Sequence, residues 1–237
     1  MTASDCPNAR ECPVPKPPSA LHSRNLRLRT IPKNHVVFRT YELKWGYDSF
    51  NPGKGDTRFV PLSVDGVNFI PTMYAGEDEQ VALLESVFHD VHHEVANRVV
   101  YLSMVRNWGL ACVGVPRNMS LIDLRDDALA ELGLHRDEIV TTQAEHYCCT
   151  REWAQWLHSQ SPEGVTPDGI VWHSRQAELH DDEVRHEVFM FFGDRAPATP
   201  GAYPLTLTGV RNLVEGPGLA FLERIAEDLK ARVEPDI

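Results

Sequence analysis

Strand-like runs outnumber helical ones in this chain, and no strand runs through a GxGxxG turn into a helix. HVVFRTYEL (35–43) is rich in β-branched and aromatic residues and reads as a strand. RFVPLS and VNFIPTMYAG follow as two short strands around an Asp65–Gly66 turn. NRVVYLSMVRN (97–107) and MSLIDLRD (119–126) are further strands, with LACVGV (110–115) between them, and DGIVWHSRQ (168–176) and EVFMFFGDR (187–195) close the set. Helical periodicity is confined to QVALLESVFHDVHH (80–93), DDALAELGL ending near Gly133, YCCTREWAQWLHSQ (147–160) and GPGLAFLERIAEDLKARVEP (216–235). In the third helix Trp153, Trp156 and Leu157 face inward; in the last the stripe is Leu219, Leu222, Ile225 and Leu229. The pattern predicts an α+β fold, a compact mixed or antiparallel sheet core with flanking helices, and excludes a doubly wound dinucleotide-binding domain.

The proline-rich start, with five prolines in its first 18 residues, predicts a flexible or loosely docked arm over residues 1–30. Residues 31–237 then form a single domain with a C-terminal helix. The arm lacks the apolar core of a secretory signal, and no apolar run reaches the length of a membrane span. Five cysteines, an odd number at irregular spacing, suggest reduced thiols and a cytoplasmic protein. A net charge of -11 argues against direct binding to nucleic acids or anionic membranes.

One residue of the first helix is out of place. Val81, Leu84, Phe88 and Val91 recur at the spacing of one helical face, and Glu85 projects from that same face. A carboxylate in an apolar setting is a candidate catalytic group. Arg58 follows a loop containing Gly53 and Gly55, where an arginine is placed to grip a phosphate. Tyr74 ends a strand just ahead of the helix.

Taken in order, FRT, NPGKGDTRF, MYAG and ALLESVFHDV resemble the RES domain, named for its arginine, glutamate and serine. YCCTREWAQWL, DGIVWHSRQ and EVFMFFGDR resemble the later elements of that family, with Ser174 in the place of the serine, so the resemblance spans about residues 35–195. The sequence departs from the family at Thr57-Arg58-Phe59, where Gly-Arg-Trp is usual. The resemblance implies an ADP-ribosyltransferase-like fold. It also implies a toxin that consumes NAD by phosphorolysis or hydrolysis, and a partner Xre-type antitoxin that blocks the site. On that reading Glu85, Arg58 and Tyr74 are catalytic, and Arg39, Ser174 and Gly55 bind substrate. NAD, with inorganic phosphate as nucleophile in the phosphorolytic case, is the small-molecule partner; a homo-oligomer is compatible with it. No metal is required.

Three other readings compete. FHDVHHE carries His89, Asp90, His92 and His93, and His89 with His93 has the spacing of two ligands on one helical face. HExxH is absent, however, and histidines suit a helix C-terminus without a metal. His146 with Cys148 and Cys149 offers a second cluster, but adjacent cysteines serve one zinc poorly. The remaining alternatives are transfer of ADP-ribose to a protein and a non-catalytic binding member of the fold. The last requires Glu85 to pair with a structural arginine away from any cleft.

Overall fold

A computed structural model of the chain describes residues 6–7, 9–18, 25–89, 98–180 and 185–235. In chain order the elements are β1 (Leu28–Ile31), β2 (Val36–Glu42), β3 (Leu62–Ser63), β4 (Phe69–Ile70), β5 (Thr72–Gly76), α1 (Glu79–Leu84), β6 (Arg98–Tyr101), α2 (Leu102–Val105), β7 (Trp108–Gly114), β8 (Met119–Asp123), α3 (Asp126–Glu131), α4 (Arg136–Ile139), α5 (Tyr147–Ser159), β9 (Gly169–His173), α6 (Arg175–His180), β10 (Glu187–Phe192), β11 (Leu205–Asn212), α7 (Gly216–Asp228) and β12 (Ala231–Glu234).

Eight strands form one mixed sheet in the order β1-β8-β9-β10-β5-β2-β7-β11. The pair β8–β9 is parallel and the other pairs are antiparallel. Strand β10 sits centrally, and Val188 through Phe192 are all buried. Its side chains alternate between two cores. Val188, Met190 and Phe192 enter one with Ile170 and Trp172; Phe189 and Phe191 enter the other with Val171, Met73 and Ala75. Each buried phenylalanine contributes about 1.5–3 kcal/mol by leaving water. The first core is closed by α1, α5 and α7, whose Leu83, Leu157 and Leu222 are fully buried.

Gly169 of β9 lies tightly against β10. A Cβ there would lie 2.1 Å from the Met190 carbonyl oxygen, so only glycine fits.

Several elements differ from the sequence reading. The expected strand 97–107 is a four-residue strand, β6, followed by one helical turn, α2. The last helix ends at Asp228, and Lys230 takes a positive φ of 54°, which turns Ala231–Glu234 into a strand parallel to β6. Strand β11 was not anticipated; Gly209 interrupts its pattern, and its register with β7 shifts between Leu205 and Val210. The first helix is six residues long rather than fourteen. Its residues Val81 to Leu84 are all buried, so it is a plug and not an amphipathic cylinder. Asp90, His92 and His93 lie outside the described residues.

The sheet begins inside the expected arm, since β1 pairs with β8 from Leu28. Part of the arm lies against α5. Val14 is buried, the Trp153 indole donates to the Pro15 carbonyl at 2.6 Å, and Lys16 pairs with Glu152 at 3.1 Å.

Candidate active site

A cavity of about 500 Å³ opens beside α1, on the face of the sheet covered by the helices. That is a common size for a small-molecule site. Its wall includes Phe38 and Thr40 of β2, Tyr74 of β5, Glu85 and Ser86 after α1, Trp172 of β9 and Arg175 at the start of α6. Asp56, Thr57 and Arg58 border it from the loop before β3, and Tyr147 from the start of α5.

Glu85 caps the C-terminal end of α1, its N–H donating to the Val81 carbonyl at 2.9 Å. The side chain is half-buried. Its Oε1 accepts a 2.6 Å hydrogen bond from the Ser174 hydroxyl. Ser174 is fully buried, and its oxygen also accepts from the N–H of Ala177 at 3.0 Å, capping α6. The serine is thereby spent on fixing the carboxylate and the helix start, and it does not line the cavity.

Arg58 is held from three sides. Its Nη1 donates to the Thr142 carbonyl at 3.0 Å and to the Thr142 hydroxyl at 2.6 Å, and its guanidinium lies over the Tyr147 ring at 5.1 Å. The Thr150 hydroxyl donates to its carbonyl at 2.5 Å. Burial lowers its pKa, Tyr147 and Glu85 counter that, and the nearby Arg175 adds to the lowering. An arginine remains charged through such a shift. Arg151 pairs with Asp56 and so braces the same loop.

Tyr74 packs edge-on against Trp172, with ring centres 5.9 Å apart, and its hydroxyl lies 3.4 Å from that of Thr57. Burial raises the phenol above its ordinary range, so it stays protonated and uncharged. On the opposite side the Thr40 hydroxyl donates to Ser86 Oγ at 2.8 Å, and Ser86 donates to the Ala82 carbonyl at 2.6 Å.

The structure thus brings Glu85, Arg58 and Tyr74 to one cavity, leaves Ser174 and Gly55 outside its lining, and has Arg39 meet it only at the edge. Arg39 borders the cavity as part of β2, but strand alternation gives the cavity side to Phe38 and Thr40. Its charge faces Asp48, Tyr41 and Tyr203 in the second core. There burial pulls its pKa down to about 10, and its Nη1 is buried with no hydrogen-bond partner among the described residues. Gly55 is exposed, with φ 96° and open space where a Cβ would be; its turn delivers Asp56–Arg58 to the wall.

Arg175, Tyr147 and Thr142 were missed. Arg175 directly follows Ser174 in the sequence, and that adjacency is the signal that marks it. Tyr147 and Thr142 carried none, because they reach Arg58 only through the fold.

The described residues contain no helix long and apolar enough to cross a membrane. They do bring thiols and an imidazole together behind Tyr147, outside the cavity.

No curated protein matches the sequence. Among solved structures, a chain of the M. tuberculosis MbcT–MbcA toxin–antitoxin complex is similar in fold, with a TM-score of 0.51. The sequences are 17% identical, and the match covers 78% of this chain and 86% of that one. The α+β fold expected from the sequence, a mixed sheet core with flanking helices, is the fold observed. The RES domain model matches residues 36–205, more than two thirds of the chain. The chain belongs to the RES domain family.

Proposed function

We propose that this chain is an NAD-consuming enzyme that breaks the nicotinamide–ribose bond, by phosphorolysis or hydrolysis. The observation that carries the reading is the convergence of Glu85, Arg58 and Tyr74 on one open cavity. Glu85 is hydrogen-bonded to the buried Ser174 behind the cavity lining and forms no salt bridge with an arginine among the described residues, which disfavours a merely structural carboxylate.

Cleavage develops positive charge on the ribose ring as the neutral nicotinamide departs. The Glu85 carboxylate, fixed by Ser174, stabilises that charge and orients the incoming oxygen. Partial exclusion of water strengthens the interaction. Arg58 and Arg175 hold the pyrophosphate, or phosphate as the nucleophile, in place of the Arg39 expected from the sequence. Tyr74 offers its ring to the nicotinamide. The incoming oxygen forms the new bond to the ribose carbon; when water attacks, its proton passes to solvent or to Glu85. Ser174 acts through Glu85 as a positioning residue.

The biological reading is a toxin whose partner is an Xre-type antitoxin that occludes the cavity. The M. tuberculosis neighbour comes from a toxin–antitoxin complex, and the RES family assignment agrees with that role.

The test is NAD loss over time with purified protein, with and without inorganic phosphate, and separation of the products. ADP-ribose-1″-phosphate formed only with phosphate means a phosphorylase. Free ADP-ribose in both conditions means a glycohydrolase. No NAD loss in either condition overturns the proposal, and labelled ADP-ribose on an added protein would then identify a transferase.

A further inference from the structure

The sequence spacing gave no reason to join the N-terminal cysteines to those of α5, yet the fold packs them together. Cys6, Cys148 and Cys149 have their sulfur atoms within 4.8 Å of one another, and Cys6, Cys12 and a ring nitrogen of His146 satisfy the same limit. The Cys12 and Cys149 sulfurs are 3.7 Å apart, and Cys6 Sγ lies 3.6 Å from His146 Nδ1.

Two of these separations, Cys12–Cys149 and Cys6–His146, are those of neighbouring ligands on a tetrahedral metal. Zinc–sulfur bonds of about 2.3 Å place neighbouring sulfurs about 3.8 Å apart, and a zinc–nitrogen bond of about 2.05 Å places nitrogen about 3.6 Å from sulfur. The imidazole also has the outer partner that such ligands require. His146 is buried, Nδ1 faces the thiols, and Nε2 lies 3.3 Å from a carboxylate oxygen of Glu145. A carboxylate on the far nitrogen fixes the tautomer and leaves Nδ1 free to bind a metal.

We propose that Cys6, Cys12, His146 and Cys149 bind one structural zinc ion. The adjacency of Cys148 and Cys149, an argument against zinc on spacing alone, loses its force because only one of the pair is needed. Cys149 is buried and lies closest to Cys12, whereas Cys148 is partly exposed and directed at Cys149 and the Glu145 carbonyl. Four protein ligands close the coordination sphere, which is the arrangement of a structural and not a catalytic site. The three thiols release their protons on binding.

The consequence is a clasp. The ion ties the arm at Cys6 and Cys12 to the start of α5, whose Tyr147 carries the Arg58 guanidinium on its ring. Metal binding therefore supports the cavity wall from behind without contacting the cavity.

The full chain, produced with zinc in the medium and purified under reductant without chelator, is to be analysed for metal by mass spectrometry and for ligands by X-ray absorption. The expected result is one zinc per chain with three sulfurs and one nitrogen. Cys12→Ser and Cys149→Ser lower the zinc at least tenfold, while Cys148→Ser retains it. Because a variant can fail by misfolding, cobalt titration of the metal-free wild-type chain is the second measurement, read by its thiolate charge-transfer band. Absence of zinc together with absence of that band overturns the proposal. So does a mass two hydrogens short with no metal, which would mean a disulfide. Loss of zinc in Cys148→Ser equal to that in Cys149→Ser overturns the ligand set.

Discussion

The Ser174 hydroxyl and the Glu85 carboxylate are joined by a 2.6 Å hydrogen bond across 89 residues of sequence. The bond locks the carboxylate that caps the C-terminal end of α1 to the start of α6. It follows that the two residues have different duties. Glu85 faces the cavity, and Ser174 sets where Glu85 points.

Glu85→Gln removes the charge at nearly constant volume. The expected outcome is a fall in kcat of at least about 10²-fold with an unchanged melting temperature. NAD consumption at wild-type rate, in a folded variant, would show that the carboxylate is not catalytic.

Ser174→Ala removes both the support of Glu85 and the cap of α6. We expect about 1 kcal/mol less stability from the lost cap. We also expect a fall in kcat of about 10²-fold, with KM nearly constant, from the displaced carboxylate. Steady-state kinetics separates the two. If KM rises while kcat holds, the serine contacts substrate after all.

Arg58→Lys keeps a positive charge but loses the planar fork that meets Thr142 and stacks on Tyr147. The expected effect is a rise of about 10- to 100-fold in the apparent KM for NAD, corresponding to one or two lost charge-assisted hydrogen bonds. Arg39→Lys, on the far face of the sheet, should leave KM unchanged; its effect belongs in a thermal melt. Equal KM effects in both variants would contradict the placement of Arg39.

Gly169→Ala puts a methyl group against the Met190 carbonyl. A loss of about 3 kcal/mol or more is expected, visible as a lowered denaturant midpoint. A midpoint within error of wild type would mean that β9 and β10 are not in such close contact.

Alkaline stability should depend on Tyr74 and Tyr203, whose phenols are both raised by burial. A group with a raised folded pKa contributes stability in full below its unfolded value of about 10, and that contribution is lost as pH climbs toward the folded value. Unfolding free energy should therefore be flat through neutrality and fall above about pH 10. The Tyr203 hydroxyl is buried with no hydrogen-bond partner among the described residues. Tyr203→Phe should then be neutral or slightly stabilising at pH 7 and should flatten the alkaline fall. Urea titrations at neutral and alkaline pH check both halves; an unchanged alkaline slope argues against a buried phenol.

Much of this protein was legible locally. The apolar run Val188–Phe192 marked a strand because β-branched and aromatic side chains suit a pleated, buried surface, and the stripe through Leu222 and Ile225 marked α7. The motif residues Glu85, Arg58 and Tyr74 were visible as a set because their order and spacing are a property of the chain itself. What the sequence could not decide were facts of direction and distance. Whether Arg39 faces the cavity depends on the parity of one strand's pleat, and β2 gives that side to Phe38 and Thr40. Whether residues 231–234 continue a helix depends on a strand partner, β6, about 130 residues earlier. Ser174 became a support for Glu85, and Cys6 and Cys12 came to face His146 and Cys149, only when the chain closed on itself. Spacing along a chain carries local periodicity; which side chains meet across long loops is set by packing of the whole sheet against its helices.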